Sequence, residues 1–157
     1  MDTPHPRPHG HDLRRGRRSE PGRIYLLTAV THRRAAVFAD FRCGRAVVQA
    51  LRAQHERGRV RSLAFVVMPD HLHWLVELRQ PLPLALLMGQ VKGYSAYAIN
   101  RLRPGAGRRL WQRGFHDHAL RREEDLRAAA RYVVANPLRA GLVAWIRDYP
   151  LWDAVWL

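Results

Sequence analysis

The chain has 157 residues and carries 27 Lys and Arg against 13 Asp and Glu, a formal net charge of +14. That length suits one domain with a real core, and that charge points to a polyanion, nucleic acid by default, ahead of a small acidic substrate. One cysteine, Cys43, excludes an internal disulfide framework, and the chain has neither an apolar run of transmembrane length nor the apolar stretch of a signal peptide, so a cytoplasmic protein without a membrane partner is expected.

Residues 1–21, rich in Pro, His, Arg and Gly without apolar periodicity, read as a flexible basic tail, with His5, His9 and His11 solvated, and residues 22–157 read as one domain. Ile24 to Thr31 is β-rich and predicts a buried strand. A helix follows from Phe41 to about Arg57, with Val47, Val48 and Leu51 inward. Ser62 to Met68 and His71 to Leu78 read as two strands of a hairpin turned by Pro69-Asp70. The spacing predicts a second helix over Leu84 to Leu102, with Leu87, Val91, Tyr94, Ala98 and Leu102 as its core stripe, broken by Pro104-Gly105-Ala106-Gly107. Trp111 to Leu120 is irregular with room for a short strand, and Glu123 to Asn136 forms a third helix that Pro137 ends. Tyr149 to Trp152 packs back through its aromatics. This order is βαββα-type and predicts an α+β fold of ferredoxin-like character, an antiparallel sheet with the helices packed on one face.

The most informative segment is His71-Leu72-His73. Strand side chains alternate, so both imidazoles face the same way, and imidazole is the commonest protein ligand for a divalent metal. The competing reading is the polar outer face of an edge strand. On the third helix, Leu126, Ala129, Ala130 and Val133 make an apolar stripe, which places Tyr132 at its edge and Asn136 one turn further along the same edge. A tyrosine there is either half-buried packing or a nucleophile with an amide oxygen beside it. Tyr97, on the edge of the second helix, is a rival on the same geometry, whereas Tyr94 lies in that helix's core stripe, Tyr25 in a strand and Tyr149 beside a proline. Periodicity leaves the choice open.

Three stretches together resemble a known family: Val67-Met68-Pro69-Asp70-His71-Leu72-His73, Trp111-Gln112-Arg113-Gly114-Phe115-His116-Asp117-His118, and Tyr132-Val133-Val134-Ala135-Asn136-Pro137-Leu138-Arg139-Ala140-Gly141-Leu142-Val143. In this order, over about residues 22 to 152, they look like the REP-associated tyrosine transposases of the single-tyrosine HUH superfamily. The resemblance implies that His71 and His73 bind Mg²⁺ or Mn²⁺ with Asn136 as third ligand, and that Tyr132 is the nucleophile. It further implies cleavage and rejoining of single-stranded DNA at hairpin-forming REP-type repeats through a 5′-phosphotyrosine, by a monomer or homodimer in the bacterial nucleoid. A phenol ordinarily titrates near about 10, so such a nucleophile needs a metal or a base at neutral pH. Lys92 falls where the family often has a basic residue on the helix after the histidines, which makes it a candidate contact to the DNA backbone; a solvated lysine is the equal alternative. Trp111, Phe115 and His116 are candidates for stacking on an unpaired base, although Trp111 and Phe115 equally suit a core. His116 stands where relatives often have an aromatic. Asp117 and His118 read as structural. Arg113, Arg121, Arg122 and Arg139 are read as phosphate contacts. A different function class remains beside the transposase reading: a protein that holds REP hairpins without cutting them.

Overall fold

A computed structural model describes residues 20–104, 109–121 and 125–155. The basic tail up to residue 19, the Gly105-Ala106-Gly107 break, Arg122 and the expected helix start at Glu123 lie outside the described residues. Five strands, β1 (Ile24–Val30), β2 (Val60–Met68), β3 (His71–Leu78), β4 (His116–Ala119) and β5 (Trp152–Ala154), form one sheet in the order β4-β1-β3-β2-β5. Every neighbouring pair is antiparallel. Among the described residues four α-helices accompany it: α1 (Phe41–Glu56), α2 (Leu84–Leu102), α3 (Leu126–Val134) and the short α4 (Asn136–Arg139). Among the described residues no helix is long and apolar enough to cross a membrane.

Local chemistry explains the boundaries. The side chains of Asp40 and Asp125 accept from the backbone N–H groups of Arg42 and Arg127, capping α1 and α3. Met68 pairs with His71 across Pro69-Asp70, so the β2–β3 connection is the two-residue hairpin that the sequence predicts.

The α+β antiparallel architecture matches expectation, but the helices do not share one face. Leu27, Leu72, Trp74 and Val76 point toward α1 and α2 in one core. Leu63, Val66, Met68 and Leu75 point the other way, onto Ala130, Val133 and Val134 of α3. The sheet is therefore buried on both sides, and the strand runs are accordingly rich in apolar residues at consecutive positions.

A second difference concerns α2. Its buried residues are Leu84, Leu87, Met88, Val91, Ser95 and Ile99, while Tyr94 is exposed rather than in the core. Ser95 is tolerated inside because its hydroxyl donates to the Val91 carbonyl at 2.7 Å and accepts from Trp111 Nε1 at 3.0 Å.

The C-terminal segment packs back as its aromatics suggest. Leu151 seats against α1 where Gly44 leaves room, since a Cβ there would collide with a Leu151 methyl. Burial pushes the Tyr149 hydroxyl up to about 12, and it donates to the Val67 carbonyl at 2.6 Å. Tyr149→Phe removes that donor and leaves a strand carbonyl without it. The expected loss is about 1–2 kcal/mol, read as a melting temperature lower by roughly 2–8 °C. An unchanged melting curve would show that the bond holds nothing.

Candidate metal and nucleophile site

His71 and His73 lie at the start of β3 and face the side of the sheet covered by α3, because Leu72 between them is fully buried among the α1/α2 core. Their rings meet edge to face with centroids 4.9 Å apart. Each uses Nδ1 within the protein: His71 against Asp70 Oδ1 at 2.7 Å, and His73 against Thr28 Oγ1 at 2.8 Å. An ionised carboxylate only accepts, so His71 donates from Nδ1 and keeps the lone pair of Nε2 available. The Thr28 hydroxyl accepts equally well, which allows the same tautomer at His73. Such partners on the far nitrogen are what fix metal-binding imidazoles in orientation.

Asp70 is held in turn. Burial acts to raise its carboxyl, but the hydrogen bond from His71 and the Arg34 guanidinium, 3.2 Å from Oδ2, outweigh it and keep the group below the usual carboxylate range. His73 is driven down to about 4, first by burial and then by the charges of His71 and Arg139. It is therefore a neutral imidazole at physiological pH, the form a cation needs.

The end of α3 brings the remaining groups. Pro137 has no N–H, so the Val133 carbonyl lacks its helical donor. Asn136 supplies one: its Nδ2 lies 3.0 Å from Val133 O and 3.4 Å from Tyr132 O. With the amide nitrogen so engaged, Oδ1 is the atom left for an outside partner, and an amide oxygen suits a hard divalent cation. Tyr132 is 55% exposed on the solvent edge of α3. The guanidinium of Arg139 lies 4.0 Å from the centre of the Tyr132 ring, and Nη2 donates to the Tyr132 carbonyl at 2.7 Å. Among the described residues no three His, Cys, Asp or Glu side chains are grouped to hold a metal. A cation at the imidazole pair would accordingly need another donor type, and Asn136 Oδ1, at the end of the helix that covers this face, is of such a type. A neutral His73, a second imidazole whose far nitrogen is engaged, and an amide oxygen are donor types that fit a divalent ion of modest affinity.

The other sequence candidates scatter. Lys92 and Trp111 sit on the opposite side of the sheet. The Lys92 ammonium donates to the carbonyls of Gln112, at 2.9 Å, and of Gly114, and so braces the loop before β4. Trp111 is buried, packed on Phe38 with ring centroids 5.2 Å apart, and has no open face for a base in this structure. Phe115 is likewise core. Arg113 and Arg121 are exposed. His116 does join the site's face: it pairs with Thr28, which pairs with His73, in one row across β4, β1 and β3. His118 shares that face two residues on, so β4 carries a second His-x-His pair. Tyr97 is 66% exposed on α2, across the sheet from the imidazoles. Sequence reasoning missed Thr28 and the structural role of Asp70. Asp70 was visible as the neighbour of His71, but Thr28 becomes a partner only through strand register.

Comparisons with known proteins place the chain in a family. A family model described as IS200-like transposase matches residues 22–136, and the chain belongs to that family. It is 28% identical over 99 residues to a Haemophilus influenzae protein assigned as a REP-associated tyrosine transposase, covering 57% of this chain and 56% of that one. It is 27% identical over 88 residues to the REP-associated tyrosine transposase of Escherichia coli K12, covering 55% of this chain and 50% of that one. The chain thus spans about half the length of these relatives. The structure of a REP-associated tyrosine transposase bound to a REP hairpin superposes with a TM-score of 0.65 at 22% identity, over 87% of this chain and 79% of that one, a likeness of fold.

The lowered His73 value sets an acid dependence. A group with a folded pKa below its ordinary 6.5 takes up its proton first in the unfolded chain. Its contribution is complete above about pH 6.5 and is lost progressively as pH falls toward about 4, amounting to roughly 3 kcal/mol. Thermal melts of metal-free protein at about pH 7 and about pH 4.5 should therefore differ less for His73→Gln than for the parent chain. Equal acid losses in both would place the critical proton elsewhere.

Proposed function

We propose that this chain is a metal-dependent single-strand DNA transposase and endonuclease that cleaves and rejoins DNA at hairpin-forming REP-type repeats, in the bacterial cytoplasm at the nucleoid. The observation that carries the reading is the convergence on one sheet face of an oriented imidazole pair and the end of α3. That helix end bears an exposed phenol and a free amide oxygen. Mg²⁺ or Mn²⁺ held by His71, His73 and Asn136 would polarise the scissile phosphate and offset charge on its oxygens.

The chain's own groups do the rest. Tyr132 loses its phenolic proton to solvent and its Oη forms a bond to phosphorus. The bond from phosphorus to the 3′ oxygen breaks, and that oxygen takes up a proton to become a free 3′-hydroxyl. The product is a 5′-phosphotyrosine. It retains the phosphodiester's energy, so attack by a 3′-hydroxyl rejoins DNA without an external energy source. The Asp70 and Thr28 side chains hold the imidazoles in register throughout, and the exposed Arg113 and Arg121 supply positive charge for the backbone.

The test is a denaturing gel of protein mixed with single-stranded hairpin oligonucleotides from the same genome and Mn²⁺. The reading expects a covalent protein–DNA adduct that disappears in Tyr132→Phe and in His71→Ala. An adduct that survives Tyr132→Phe and vanishes in Tyr97→Phe would move the nucleophile to α2. Tight hairpin binding with no adduct would make the chain a hairpin-holding protein instead.

A further inference from the structure

Two exposed tyrosines each have an arginine beside them, and the two arrangements differ in the atom left open. On α2, Arg101 Nη1 donates to the Tyr97 hydroxyl at 3.2 Å, and its guanidinium sits 5.8 Å from the ring centre. The phenol oxygen there is occupied by a donor. At Tyr132 the guanidinium of Arg139 instead lies over the ring, 4.0 Å from its centre, and Nη2 donates to the backbone carbonyl of the same residue at 2.7 Å. One side chain thus grips Tyr132 at two points, ring face and main chain, and leaves Oη open.

We propose that Arg139 is a positioning residue for Tyr132, clamping the phenol ring against the end of α3 so that Oη is presented toward the imidazole face. This rests on the reading of Tyr132 as nucleophile. Two observations support it. The ring is 55% exposed, and among the described residues Arg139 is its only ring or polar side-chain partner, so without the clamp the ring is left to sample its staggered rotamers. The carbonyl that Arg139 caps is one of the last four in α3, where intrahelical donors run out, so the bond has a fixed geometry to satisfy.

A planar fork is needed for this dual grip. Lysine carries the charge but cannot lie on the ring and donate to the carbonyl at once. Arg139 therefore differs from an ordinary phosphate contact, which acts on affinity and salt dependence alone.

The experiment uses the full chain with Arg139→Ala and Arg139→Lys, a REP-type hairpin oligonucleotide and Mn²⁺. Adduct formation is followed in single turnovers at saturating DNA, and affinity by fluorescence anisotropy at several salt concentrations. A misplaced nucleophile is expected to slow adduct formation by about 30- to 100-fold in both variants, with affinity within about threefold and the salt slope unchanged. Weakened binding with a salt slope smaller by about 1 and an unaltered saturating rate would overturn the proposal and return Arg139 to the backbone contacts. A second arm needs no DNA. In protein labelled with ¹³C-tyrosine, the Tyr132 ring signals, assigned from Tyr132→Phe, should collapse toward averaged positions in both variants. Unmoved signals would overturn the clamp directly. If the parent chain forms no adduct at all, the nuclease reading fails while this arm still decides whether Arg139 holds the ring.

Discussion

The site depends on the register between β1 and β3. Antiparallel pairing sets Thr28 opposite His73 and Val30 opposite His71. A slip of one residue would turn both imidazoles into the α1/α2 core and push Leu72 out under α3. The apolar alternation forbids that slip, because Leu27, Ala29, Leu72, Trp74 and Val76 on the one side are all buried. Packing thus specifies the functional geometry. The Thr28–His73 hydrogen bond is the local consequence of a register enforced by hydrophobic burial along the two strands.

A sheet buried on both faces gives each face a different task. The α1/α2 side holds the larger core, including Trp111 and Phe115, and there Lys92 ties the loop before β4 to α2. The α3 side is thinner: its apolar cluster covers β2, β3 and β5, and the strand row from His116 through Thr28 to His73 runs out toward the opposite edge. The imidazoles are consequently half-buried at the margin of a packed helix. Burial there is enough to hold His73 neutral, yet the margin is open enough for a large polyanion to approach. A strongly basic chain supplies the long-range attraction for that approach.

Much of this was legible beforehand. The α2 limits, the β2–β3 hairpin and the single-face placement of His71 and His73 follow from period and turn chemistry, and the structure has them at or within a residue or two of the sequence-based bounds. The face covered by α3 was not legible, since an amphipathic stripe shows that a helix packs but not on which side of a sheet. Leu87 and Val91 of the α2 stripe are buried as expected, but further along Ser95 and Ile99 take the inward positions in place of Tyr94 and Leu102, and only the structure reveals the Trp111 and Val91 partners that let the polar Ser95 be buried. Asn136 was recognisable from its motif, but the reason its Oδ1 is the atom left open is the donor missing from Pro137, a matter of hydrogen-bond accounting at the helix end. Tyr132 and Tyr97 remain equivalent to periodicity. What separates them is the side of the sheet on which each helix lies.

The central claim is that β3 and the α3–α4 junction form one cation site. The most direct measurement is a titration of ¹⁵N-labelled protein with substoichiometric Mn²⁺, following paramagnetic broadening of backbone amides. The account predicts that signals at His71 to His73 and at Val133 to Asn136 broaden first and together. Broadening centred on the second His-x-His pair in β4, or spread evenly over the surface, would contradict it.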